Sequence, residues 1–78
     1  MVLSTPIFTN NALRKMKIWG LSEKAVLDAF NNGETEKANY GGRWNAVRKY
    51  PNYEIGVNYD RKYTGEYIIV SVWYRERR

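Results

Sequence analysis

The chain has 78 residues, thirteen Lys and Arg against eight Asp and Glu, a net charge of +5, and neither cysteine nor histidine. Disulfides, thiolate metal sites, the common zinc arrangements and histidine-based acid–base catalysis are therefore excluded, and one small domain over 1–78 is expected, near the size where a single core has little stability to spare. The basic excess favours anionic partners, nucleic acid first among them, with plain solubilising surface charge as the alternative.

The opening M-V-L-S-T-P-I reads as a short extended arm limited by Pro6. It lacks the basic and apolar regions of a signal peptide, and no stretch approaches the roughly 20 apolar residues of a membrane span, so a cytoplasmic location without a membrane partner is expected. Thr9 is a good N-cap, with Phe8 placed to staple onto Leu13. Ala12, Leu13, Met16 and Trp19 then recur at helical spacing, and Gly20 supplies a left-handed stop. The same grammar repeats at once: Ser22 caps, Leu21 staples to Val26, Ala25, Val26, Ala29 and Phe30 form the buried stripe, and Gly33 ends the helix. A helical hairpin over 8–33 follows from these signals.

Residues 33–42 are polar and glycine-rich, a connecting loop or a frayed strand. From Arg43 the period changes to two. Residues 43–50 form one strand, Pro51-Asn52 fits a type I turn, and 53–59 form the next, with Tyr53, Ile55, Val57 and Tyr59 on one face. The most strand-like stretch is 66–75, E-Y-I-I-V-S-V-W-Y-R, apolar on both faces. Strict alternation puts Ile68, Val70, Val72 and Tyr74 under the helices, and Tyr67, Ile69, Ser71, Trp73 and Arg75 on the side left open. Two apolar faces place this strand inside the sheet with a neighbour on each side. The fold class expected is α+β: a two-helix hairpin packed on one face of a three- to four-stranded antiparallel sheet, with the meander over 43–75. Arg77 and Arg78 are expected to fray.

Residues 8–22 read F-T-N-N-A-L-R-K-M-K-I-W-G-L-S. This resembles the opening of a widespread prokaryotic family, domain of unknown function 4258, whose members begin close to F-T-x-H-A-x-x-R-M-x-x-R-G-I-S. Phe8, Thr9, Ala12, Met16, Gly20, Leu21 and Ser22 fit that pattern, and the terminal I-I-V-S-V looks like the family's ending. The family is similar in turn to small ribonuclease toxins of the RelE, ParE and BrnT type and to the wider barnase-like ribonuclease fold. The resemblance implies a helical pair on one sheet face and RNA, an antitoxin or another protein on the other. It also shows departures: the family's His falls at Asn11, its second Arg at Trp19, and its first Arg is met by Arg14 one residue out of step. An amide does not titrate, so Asn11 cannot replace a His acting as general base.

RNA cleavage needs a base for the 2′-hydroxyl, a group facing the phosphorane charge and an acid for the leaving oxygen. RelE-type enzymes are understood to manage this with Lys, Arg and Tyr, and by that resemblance Lys49, Tyr74 and Arg75 are the catalytic candidates. Arg43, Arg48, Arg61, Lys62, Tyr67 and Trp73 are the candidates for nucleic-acid binding, because Arg pairs with phosphate and aromatic rings stack on bases. Tyr67, Trp73 and Arg75 would form an aromatic platform with basic flanks. The competing reading is that these rings form a second small core or a dimer interface. The carboxylates show no metal-ligand spacing and no glycine-rich phosphate loop is present, so neither metal nor cofactor is expected. The leading expectation is a small basic RelE-like domain binding RNA or other nucleic acid, with ribonuclease activity weak or lost. The alternatives are a His-free ribonuclease toxin and a protein-interaction module of a mobile-element accessory protein.

Overall fold

Two hydroxyl side chains start the helices where their spacing predicts. In a computed structural model, which describes residues 6–38 and 42–76, α1 spans Asn10–Trp19 and α2 spans Glu23–Asn32. Thr9 Oγ1 accepts from Ala12 N and Ser22 Oγ from Ala25 N, both at 3.1 Å, so each cap satisfies an N–H that a helix start leaves unpaired. Gly20 closes α1 at φ 68°, in the left-handed region. Ala12, Met16, Val26 and Ala29 are buried, whereas Leu13 and Trp19, expected on the same stripe, are 48% and 44% exposed. The reason is that α1 packs chiefly along one strand, the last, so only a narrow stripe of it reaches the core.

Among the described residues five strands form one mixed sheet: β1 (Ile7–Phe8), β2 (Glu34–Lys37), β3 (Trp44–Lys49), β4 (Tyr53–Arg61) and β5 (Tyr67–Glu76), in the order β1-β5-β4-β3-β2. The fold is α+β, with β2 to β5 antiparallel and β1 parallel to β5. The sheet therefore has two more short strands than its central meander. One lies in the Pro-limited arm and the other in E-T-E-K, whose four residues are all exposed and so carry no hydrophobic alternation. Among the described residues no helix is long and apolar enough to cross a membrane. Residues 1–5 of the arm expected over 1–7, and the fraying expected of Arg77 and Arg78, lie outside the described residues.

β5 does have a neighbour on each side, β1 and β4, but the middle strand of the sheet is β4. β5 has a second neighbour only at Ile68 and Ile69, which pair with Ile7 and Phe8. Past that point Thr9 donates its N–H to Ile69 O at 3.1 Å and the chain leaves the sheet for α1, so 71–76 lies at the sheet margin among the described residues.

The alternation in β5 is also interrupted. Asn58 pairs with Ser71 but Tyr59 with Ile69, so Val70 is an extra residue and the strand carries a bulge. Its carbonyl is held from the other end of the chain, by Thr9 Oγ1 and Asn11 Nδ2, each at 3.0 Å. The bulge changes the face of every residue before it. Ile69 joins Val72 in the core with Ile55 and Val57, and Tyr67 meets Phe30 and Tyr59 on the helix side. Tyr67 and Ile69, expected beside Trp73, are thus on the opposite face from it.

Most of the described tyrosines extend the core. Tyr50 stacks on Tyr53 at 4.6 Å between ring centroids and Tyr53 on Tyr74 at 5.3 Å, while Phe30, Tyr59 and Tyr67 meet edge to face. A domain this small gains apolar contact area from such rings that its few aliphatic residues cannot supply.

Candidate functional site

Residues opposite one another across neighbouring strands point to the same side. The register therefore writes the face away from the helices as three rows: Glu36, Asn45, Asn58 and Ser71; then Glu34, Val47, Gly56 and Trp73; then Lys49, Glu54 and Arg75. Gly56 shapes the middle row. A Cβ there would stand 2.0 Å from two ring carbons of Trp73, so the indole lies over the glycine, in a row that continues to Val47, itself 6% exposed. The indole Nε1 is buried without a partner among the described residues.

The first row is polar and close-knit. Asn58, 7% exposed, donates from Nδ2 to Asn45 Oδ1 at 2.8 Å. Asn11 reaches the same region from α1: its Nδ2 donates to Val70 O, and its Oδ1 accepts from Arg14 Nη2 at 2.7 Å. Asn11, Arg43, Asn45, Asn58, Ser71 and Trp73 line a cleft of about 360 Å³, and no carboxylate is among its described lining residues.

The third row is ionic. Arg75 Nη2 lies 3.3 Å from Glu54 Oε2, whose side chain is 14% exposed, and Lys49 Nζ lies 3.6 Å from Glu34 Oε1. Lys49 and Arg75 thus flank Glu54 on the face away from the helices. Tyr74 is on the helix side in the stack with Tyr53, so the three catalytic candidates do not converge.

The nucleic-acid candidates separate into several groups. Arg43 and Trp73 line the cleft. Arg61 sits with its guanidinium 5.7 Å from the Tyr67 ring centroid, beside a smaller space of about 220 Å³ that Thr35, Trp44 and Tyr59 also line on the helix side. Lys62 opens the exposed β4–β5 loop, its N–H donating to Glu66 O at 2.8 Å. Arg48 lies on the helix side, 3.6 Å from Asp28 and over the Tyr50 ring.

Asp28 is more heavily engaged than its sequence context suggests. Asn32 Nδ2 donates to it at 2.7 Å and Tyr50 Oη at 2.9 Å. The Asn32 bond first, then the Tyr50 bond, with the Arg48 charge a smaller contribution, hold its carboxyl below the ordinary carboxylate range. The folded pKa is below the unfolded one, so its contribution is present above that range and lost as pH falls through it. Asp28→Asn should therefore lose less stability than the unaltered chain between about pH 5 and pH 2, measured as urea midpoints; parallel acid profiles would contradict this.

Sequence reasoning did not single out Asn45 or Asn58, gave Ser71 a face but no role, and noted Asn11 only as standing where the resembled family has its His. The available signal was weak: two asparagines interrupting otherwise β-branched and aromatic strands, where a polar residue turned from solvent needs a partner. No protein-family model matches the chain, nor does any curated protein or solved structure.

Proposed function

We propose that this domain binds single-stranded nucleic acid, RNA above DNA, on the sheet face away from the helices. The observation that carries this reading is the cleft: four neutral hydrogen-bonding side chains (Asn11, Asn45, Asn58 and Ser71), a tryptophan wall and an arginine, with no carboxylate among the described lining residues. Amides and a ring suit unpaired bases, and guanidinium suits phosphate. The net charge of +5 favours the same partner, and Arg14, held by Asn11 beside the cleft, adds a second cation there.

Cleavage chemistry has less support. Lys49 and Arg75 are paired to carboxylates, Tyr74 faces the other way, and the cleft offers no titrating base among its described residues. The relation to RelE-like toxins, on this reading, concerns the scaffold, with ribonuclease activity weak or absent. Fluorescence-anisotropy titration with short single-stranded RNA and DNA tests the proposal. With about two phosphates neutralised, by Arg43 and Arg14, raising salt from about 50 to about 200 mM should weaken binding ~7-fold. Binding indifferent to salt, or none to either polymer, would end this reading.

A further inference from the structure

We infer that the cleft is a receptor for one unpaired nucleobase, reading its polar edge through Asn45, Asn58 and Ser71; this rests on the nucleic-acid reading above. Its volume of about 360 Å³ is at the small end of the roughly 300–1,000 Å³ typical of small-molecule sites, enough for a single ring system and too little for a paired duplex.

The hydrogen-bond geometry says more than the size. Because Asn58 Nδ2 gives one of its two N–H groups to Asn45 Oδ1, the pair is oriented. Asn45 keeps both N–H groups of its Nδ2, and Asn58 keeps its Oδ1 acceptor and one N–H, with no other partner among the described residues. Ser71 Oγ, which can donate or accept, is likewise uncommitted among them. The cleft thus presents amide donors, an amide acceptor and an adaptable hydroxyl side by side. Every nucleobase carries donors and acceptors along one edge, so it can return these bonds. An apolar side chain entering the same space would strand them, and a polar group left unpaired on burial is costly.

Charge points the same way. The lining side chains are neutral except Arg43, which suits an uncharged ring inside the cleft with its phosphate at the guanidinium. Arg14 stands 2.7 Å from Asn11 Oδ1 and offers a second phosphate contact beside the cleft. Asn11 is then a positioning residue. It ties Arg14 to the bulge carbonyl of Val70, and so sets the cation's distance from Ser71 one residue along β5.

The test compares a short RNA with an abasic strand of the same length and charge, using the full chain and anisotropy. The RNA should bind about tenfold tighter. Ser71→Ala, which breaks no bond among the described residues, should remove a several-fold part of that preference. Asn45→Ala, with its thermal midpoint checked against the parent, should reduce the RNA to near the abasic level. Equal affinity for both strands with normal salt dependence would overturn the base receptor while the nucleic-acid surface stands. Salt-insensitive or absent binding of both would overturn the surface as well. A free nucleoside monophosphate binding as tightly as the RNA would keep the base and overturn the strand as its source.

Discussion

Truncating Ile69 to alanine should cost about 2–5 kcal/mol, while the same truncation at Ile68 should cost well under half as much. Ile69 is fully buried, with Val57 and Val72 beside it in the core. Ile68 is only partly buried and stands opposite Asp60, on the other side of the strand. Strict two-residue alternation predicts the reverse order, with Ile68 inward. Two adjacent single variants therefore read the bulge at Val70 directly, through urea midpoints on otherwise identical chains. A native domain has a total stability of order 5–15 kcal/mol, so Ile69→Ala would remove a large fraction of it. Equal losses, or a larger loss at Ile68, would mean that the strand runs without a bulge.

The legible parts of this fold are those written locally. Thr9, Ser22 and Gly20 sit within a few residues of the backbone groups they serve, so the helix ends could be read from spacing alone. The β4 pattern of Tyr53, Ile55, Val57 and Tyr59 is regular because both neighbours pair along that strand, and all four do face the helices. The bulge is different. Its carbonyl is held by Thr9 and Asn11, about sixty positions away in sequence, and nothing in I-I-V-S-V marks Val70 as the residue that drops out of the pairing. One such slip moved Tyr67 from the presumed binding face to the helix side and dissolved the aromatic platform. It also left Ser71 in line with Asn45 and Asn58. The cleft is assembled from α1, β3, β4 and β5, and its polar residues are individually unremarkable. Only the strand register brings them together, which is why the sequence pointed to tryptophan and arginine and missed the amides.

Gly33→Ala should destabilise the domain by about 1–3 kcal/mol or more, against the usual sign of that substitution. At φ −76° the backbone is in a region any residue adopts, and there alanine ordinarily stabilises by about 0.4–1 kcal/mol by restricting the unfolded chain. Space decides otherwise. A Cβ would stand 2.5 Å from the Ala29 carbonyl oxygen, 2.8 Å from the Val47 carbonyl carbon and 2.9 Å from the Val47 nitrogen. All three are backbone atoms, so no side chain can swing aside as the Trp73 indole could at Gly56. Ala29 belongs to α2 and Val47 to β3, and the Gly33 N–H closes on Ala29 O at 2.9 Å before the chain enters β2 opposite Val47. Relief would require either opening that helix end or prising β2 from β3, and each gives up hydrogen bonds that hold the sheet edge. Chemical denaturation of Gly33→Ala beside the parent, with amide exchange read at 34–37, should show a lower midpoint and faster exchange confined first to β2. An unchanged or raised midpoint would mean that α2 and β3 do not approach each other as closely as the glycine implies.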